Sequence, residues 1–395
     1  MEEFSDKLGR VCNEEIFMIS KLKKELFSCD EINSGRQIEL DLARAVIIFC
    51  LPLIHCMIEC TSDERLTRGI PYLFDTIIGG PLSAPMYMFV MGVGMVYTRS
   101  REPKHHLFRG LKILLTGYVL NICRFLIPYL IGYAISGEYD KYIEPLVYKF
   151  LGNDILIFAG IAMMLIAVFI KFQISNWGMI FAGIALSVTG TLLTGVDVKT
   201  PFGNIFLGYL IGTEDAAGMV ISDFSVCNWL IFPICGYVFG TILKKVKNKK
   251  SFYTVVSMPC LIIAVVYFAW GIASGSGMFG EGQNCYYHMN TIDAFASLTM
   301  TVGLIGTYYF ISRILSQNIL QVCKEISRNI TYIYCIHWVL ISFSVNLLIY
   351  QIRGTQELSQ WWSLLLGCTI GVVSIVIAHY YRLWKEGFRK YEKVS

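Results

Sequence analysis

Charge is scarce in this chain. Only 16% of its 395 residues are Asp, Glu, Lys or Arg, against about a quarter in an ordinary soluble domain. Alternating strand-like stretches are also missing, which excludes a membrane β-barrel. Thirteen cysteines are present, yet no CxxC pair occurs, so neither a thiol redox motif nor a cysteine zinc site is expected. Most of them lie in apolar runs and read as small buried hydrophobes. A disulfide among Cys60, Cys227 and Cys285 is allowed by their shared side but not expected. HxxxH and HExxH spacings are absent among the six histidines, and no metal site is expected. No P-loop and no GxSxG elbow occur. No internal repeat is evident, which argues against an inverted-repeat transporter. The first 35 residues are too polar for a cleavable signal peptide.

Apolar surface is what the chain has in excess. Hydrophobic residues make up 55% of it, and the mean hydropathy is +0.56. Repeated apolar runs of about 18 or more residues each read as a membrane span. The fold class that follows is an all-α polytopic bundle of about ten transmembrane helices around a polar passage. The spans run over 38–58, 72–97, 111–135, 154–171, 177–196, 229–243, 252–273, 291–314, 330–350 and 361–381. Residues 1–35 form a cytosolic leader in which 14–27 can lie as an amphipathic helix on the membrane. Residues 36–382 form the membrane domain, and 383–395 a basic tail. The second span opens on Pro81, Pro85 and several small residues, which predicts a broken start and a close helix contact.

The distribution of positive charge orients the bundle. Alternate loops and the two termini hold 25 of the 33 Lys and Arg residues, and the other five loops hold six. The positive-inside rule then puts both termini in the cytoplasm, of a bacterial plasma membrane. The basic residues are spread over loops on one membrane side, so no nucleic-acid partner is expected.

Within this frame the first span is anomalous, because Glu39, Asp41, Arg44, Pro52 and His55 interrupt it. Ionisable groups in hydrocarbon cost several kcal/mol unless paired or facing a cavity, so they point to function. Arg44 and His55 are eleven positions apart, which places them on one helix face about 16 Å apart. Asp41 lies one turn before Arg44 on that face. By depth, Asp41 and Arg44 fall in the inner half and His55 near the outer end. Pro52 removes a helical hydrogen bond and bends the helix near His55. Asp75, Asp154 and Asp293 start spans at the outer side, where helix capping is their ordinary role. His288 and Asn290 lie on outer loops. Arg124 sits near the midplane. His337 lies in the inner half or near the centre, where a lone histidine is as often a helix–helix hydrogen-bond partner as a functional group. A histidine beside a carboxylate can act as a general base, with the carboxylate fixing its tautomer. Buried arginines can hold phosphate or carbonyl groups.

Several stretches resemble one family. Arg36-Gln-Ile-Glu-Leu-Asp41-Leu-Ala-Arg44-Ala, with ten residues between Arg44 and His55, is similar to the opening of the transmembrane acyltransferase superfamily. That superfamily includes the bacterial acyltransferase-3 enzymes and the relatives of heparan-α-glucosaminide N-acetyltransferase. Pro85-Met-Tyr-Met-Phe-Val-Met-Gly92, Asn153-Asp154-Ile-Leu-Ile-Phe-Ala-Gly160, Phe232-Pro-Ile-Cys-Gly-Tyr-Val-Phe-Gly240 and Tyr334-Cys-Ile-His337-Trp resemble later segments. The Arg–His spacing is the most specific of these, and Ala45 departs from the glycine of many members. No histidine occurs between His55 and His105, so the chain follows the acyltransferase-3 pattern.

The resemblance implies a ten-span enzyme that takes an acyl group, usually acetyl, from cytosolic acyl-CoA. It passes the group to a hydroxyl or amine of a glycan across the membrane. The expected catalytic set is His55, Arg44 and Asp75. Acetyl-CoA, or another acyl-CoA, would contact Arg99, Arg101 and Lys104 with its nucleotide, and Arg44, Arg124 and His337 along its arm. Asp154, His288, Asn290 and Asp293 would face the acceptor. The lipid bilayer is the remaining partner, and an oligomer is allowed. The competing reading is a transporter or lipid-linked sugar flippase that uses the same passage without chemistry.

Overall fold

A computed structural model describes residues 24–62, 69–214, 222–276, 279 and 286–391. Among them helix is the only regular secondary structure, with two isolated β-bridges and no sheet. In a bilayer core every backbone polar group must be satisfied within its own segment, which an apolar helix achieves alone. Eight helical stretches are long and apolar enough to cross a membrane, and two shorter apolar helices complete the expected set. The protein is an all-α polytopic membrane protein.

In chain order the helices are α1 (Ile38–Cys60), α2 (Ala84–Val96), α3 (Pro103–Ser136), α4 (Ile155–Lys171), α5 (Asn176–Leu192) and α6 (Val226–Leu243). They continue as α7 (Lys249–Ala273), α8 (Thr291–Ser312), α9 (Gln317–Arg328), α10 (Ile330–Arg353) and α11 (Gln360–Tyr391). The bundle is organised around α1, which packs against α2, α8, α9, α10 and α11. The apolar stretch of α1 is mostly buried, whereas that of α7 is mostly turned outward at the rim. An ionisable group on α1 is therefore surrounded by protein rather than lipid.

The broken start of the second span is present. A helical turn at Gly69–Tyr72 runs into a π-helical stretch, Leu73–Ile78, and only after a further turn does α2 begin. Pro85 falls in the first turn of α2, where its missing N–H costs nothing. The close contact is the crossing of α2 with α6. A Cβ on Gly92 would run into the Pro233 carbonyl, and one on Gly236 into the Phe89 carbonyl. The two backbones touch there, and only glycine permits it.

Three expectations about the connections change. Residues 317–328, read as a loop, form α9, an amphipathic helix capped by the Ser316 hydroxyl and laid against α1. The last span does not stop at 381. It continues as one helix to Tyr391, reinforced where Arg382 pairs with Glu386 one turn on, at 2.8 Å, and with Glu325 of α9 at 3.2 Å. The loop between α5 and α6 contains a helix of its own, Pro201–Gly208. The amphipathic helix expected over 14–27 lies outside the described residues apart from its end, where Lys24–Leu26 are helical. Among the described residues every cysteine is free, so no disulfide joins Cys60 to Cys227, and Cys285 lies outside the described residues.

Candidate active site

The polar face of α1 does two things at two depths. Near its start Asp41 accepts a bidentate pair from Arg36 and a hydrogen bond from the Ser327 hydroxyl at 2.6 Å. The Arg44 guanidinium lies 3.7 Å from the same carboxylate. Glu39, on the other side of the helix, is neutralised by Lys249 at 2.6 Å and accepts from the Tyr253 hydroxyl at 2.9 Å. Each acid near the start of this span is thus paired, which is how a membrane helix tolerates charge.

Arg44 projects from this network into a cavity of about 800 Å³. Its Nη2 donates to the Val90 carbonyl at 3.2 Å, and a Cβ on Gly94 would stand only 3.1 Å from that nitrogen. The glycine of α2 leaves the space that the guanidinium occupies. Five arginines line the cavity: Arg36, Arg44, Arg99, Arg109 and Arg328. Asp41 is the one carboxylate among its lining residues. Among the described residues neither Arg99 nor Arg109 has a carboxylate partner. A cluster of cations with so little internal compensation suits a polyanion. Arg101 and Lys104, expected beside Arg99, are not part of the lining. Arg101 is held by Glu31 through two bonds of 2.7 and 2.6 Å, and Lys104 lies over the Phe108 ring at 5.9 Å.

Tyr87 forms part of the cavity wall, and beyond it the side chains are aromatic. Its ring lies 6.1 Å from that of Tyr334 on α10, which in turn lies 5.2 Å from the His337 ring. His337 is completely buried, and its Nε2 is 3.0 Å from Nδ1 of His55. The His55 ring stacks on Trp338 at 4.0 Å. The Arg124 guanidinium carbon lies 3.2 Å from the centroid of the same Trp338. Neither His55 nor Arg124 is among the lining residues of the cavity. Arg44 and Arg124, expected along one passage, therefore stand on the two sides of the Tyr87–Tyr334 contact.

Irregular helix geometry brings these groups together. Arg124 sits in a π-helical turn of α3, Ile122–Leu126, which loosens the regular carbonyl ladder. The Ser342 hydroxyl, in a π-helical stretch of α10, donates to the Arg124 carbonyl. The Arg124 side chain reaches Asp154 at 3.3 Å, and the Tyr334 hydroxyl donates to the same carboxylate at 3.4 Å. Trp338 Nε1 donates to the Tyr334 oxygen at 2.9 Å, so residues one turn apart on α10 are tied to each other. Asp154 also caps α4 by accepting from the Ile155 amide.

The group on Nδ1 of His55 is not a carboxylate but the imidazole of His337. Asp75 lies in the π-helical stretch before α2. Asn290 is the N-cap of α8, and Asp293 braces it. The Asn290 side chain accepts from the Ile292 and Asp293 amides and donates to the Asp293 carboxylate at 2.7 Å. His288 is buried against Gly212, 3.4 Å from Glu214 and 3.3 Å from the Ser222 carbonyl, so it ties the start of α8 to the connection between α5 and α6. Burial pushes its pKa down. On that side Asp223 has its carboxyl pushed up to about 6 by burial and by the nearby Asp154.

Residues not singled out from the sequence are Arg36, Arg109 and Arg328 in the cavity, and Tyr87, Tyr334 and Trp338 around the histidines. The i, i+4 spacing of Tyr334 and Trp338 around His337 is a signal that could have found the second group. A search of curated proteins returned no match to the chain. The model of the acyltransferase domain of the acyltransferase-3 kind matches residues 37–380, from the entry to α1 through most of α11, and the chain belongs to that family.

Proposed function

We propose that this acyltransferase takes an acyl group, acetyl in the simplest case, from cytosolic acyl-CoA. The acceptor is a hydroxyl or amine of a glycan on the opposite side of the membrane. The observation that carries the reading is the arginine-lined cavity ending at Tyr87, with the His55 imidazole beyond it. The concentration of 25 of the 33 Lys and Arg residues on one side supports a cytoplasmic location for both termini. A bacterial plasma membrane is the setting proposed.

In this scheme Arg36, Arg99, Arg109 and Arg328 bind the phosphates of the donor through charge-assisted hydrogen bonds. Arg44, deepest of the five, guides the arm toward Tyr87. Movement of Tyr87 against Tyr334 opens the way to His55. There His55 removes the proton from the acceptor as it attacks the acyl carbon. Arg124, held by Asp154 against Trp338, supplies positive charge for the developing oxyanion. A covalent acyl-histidine is the competing route.

Purified protein incubated with radiolabelled acetyl-CoA tests this. Wild type should bind the donor and transfer or hydrolyse the label, and His55→Ala should bind but not turn over. Absence of donor binding together with absence of His55-dependent turnover would overturn the proposal. Cysteines placed at Lys244–Lys250 should resist labelling from outside the cell.

A further inference from the structure

The hydrogen bonds around the two histidines determine where their protons sit. A backbone carbonyl can only accept. His337 Nδ1 lies 3.1 Å from the Ile333 carbonyl oxygen, so Nδ1 carries the hydrogen. The ring is fully buried and next to the Arg124–Trp338 contact, where a second proton would add a cation beside a cation. In the neutral ring Nε2 is then a bare acceptor. His55 Nδ1 stands 3.0 Å from that nitrogen, and two lone pairs facing each other at this distance would repel. His55 Nδ1 therefore carries the hydrogen and donates it, and its own Nε2 keeps the lone pair. Among the described residues Nε2 of His55 has no hydrogen-bond partner. His55 is also partly exposed where His337 is not.

We infer that His337 is a positioning residue that locks His55 as the Nδ1–H tautomer and leaves Nε2 as the base. The relay runs from the Ile333 carbonyl through His337 to His55, and Trp338, the next residue on α10, holds the plane of the His55 ring. The usual orienting group for a catalytic histidine is a carboxylate. A neutral imidazole does the same orienting here without adding an anion that would compete for Arg124. The inference deepens the acyl-transfer reading and rests on it for its catalytic consequence. In that step the acceptor O–H or N–H bond breaks and its proton goes to Nε2 of His55. The acceptor atom bonds to the acyl carbon, the carbon–sulfur bond breaks, and the proton passes from Nε2 to the departing thiolate. Throughout, Nδ1–H of His55 remains donated to His337, and both rings end as they began.

The test is ring-nitrogen NMR on the full chain in lipid bilayers, labelled with nitrogen-15 histidine and assigned with His55→Gln and His337→Gln. Protonated Nδ1 and bare Nε2 on both rings are expected, and a protonated Nε2 on His55 overturns the inference. Turnover supplies the second readout. His337→Leu should lower kcat by roughly 10²-fold or more with donor KM unchanged, since imposing the wrong tautomer on a hydrolase histidine costs about 10⁴-fold. His337→Gln, whose carbonyl oxygen can accept the Nδ1 hydrogen, should recover at least a tenfold part of that loss. Undiminished turnover in His337→Leu would also overturn it. If the wild type neither bound nor turned over the donor, the acyl-transfer reading would fall, while the nitrogen signals would still decide the tautomer.

Discussion

The two halves of the site are built by opposite means. The cavity at the start of α1 is wide and lined by five arginines drawn from three helices and two connecting segments. The cluster at the far end of α1 is packed ring against ring, with a buried histidine, a tryptophan and one arginine whose charge is matched by one aspartate. Spread charges around open space recognise an anion and tolerate variation in any one contact. Stacked rings joined by directional hydrogen bonds hold one geometry and tolerate little. Tyr87 and Tyr334 mark the boundary between a region suited to affinity and a region suited to positioning.

That contrast is most easily broken at His55. Replacement by Gln should reduce turnover by about 10²–10⁴-fold, the usual contribution of a positioned general base, and leave donor affinity within about twofold. Equilibrium binding of labelled acyl-CoA beside transfer assays measures both. A large loss of affinity would show that the two regions are one.

Arg44→Ala should do the reverse. Loss of a charge-assisted contact of about 1.5–3 kcal/mol corresponds to roughly 10–100-fold weaker donor binding. The saturated rate should change far less, and the affinity difference should shrink in high salt. Asp41 keeps Arg36 and Ser327 as partners, so stability should be nearly retained. Gly94→Ala gives a finer version of the experiment. The added methyl would stand 3.1 Å from the Arg44 guanidinium, which can shift because its other side faces the cavity. A fewfold loss of affinity without loss of thermal stability is expected. A drop in stability as large as that caused by Gly92→Ala, where the methyl meets the Pro233 backbone, would refute it.

How much of this was legible depends on which physical signal each feature leaves. Spans follow from run length, so the bundle could be read directly, and the broken entry to α2 followed from Pro81 and Pro85. The shared face of Arg44 and His55 followed from helical periodicity. Depth along a helix can be counted, but which neighbour a face meets cannot. His337 could be placed near mid-depth, yet its contact with His55 depends on how α10 crosses α1. Arg36 and Arg328 reach the cavity from segments about 290 residues apart, and no local pattern announces that. The loop expected over α9 failed for a simpler reason. Its charged residues masked a short amphipathic period whose apolar side rests on α1. Asn290 and Asp293 carry the spacing of a helix cap, and the structure uses them as one.

The smallest effect concerns how the segment leading to α1 is fastened. Residues 28–33 run across the turn that follows α6, with the amides of Ser28, Ile32 and Asn33 bonded to the carbonyls of Lys245 and Lys244. Glu31 fastens this segment to Arg101 at 2.6 Å and Lys244 at 3.4 Å. The bidentate hydrogen bond from Arg101 holds the Glu31 carboxyl down at about 2, from an ordinary value of 4.5. A depressed acid pKa means that the folded state binds fewer protons than the unfolded one. The contribution is therefore complete above pH 4.5 and disappears as pH falls toward 2. Glu31 is more than one-third exposed, so solvent screening limits the gain to under about 1 kcal/mol. Glu31→Gln should accordingly lower the thermal midpoint slightly at pH 7 and speed amide exchange at Ser28, Ile32 and Asn33. The gap between the two proteins should close on acidification below pH 4.5. A gap that stays constant from pH 7 to pH 3 would mean that the segment is held by its backbone bonds alone, and that the Glu31 charge has no part in fastening it.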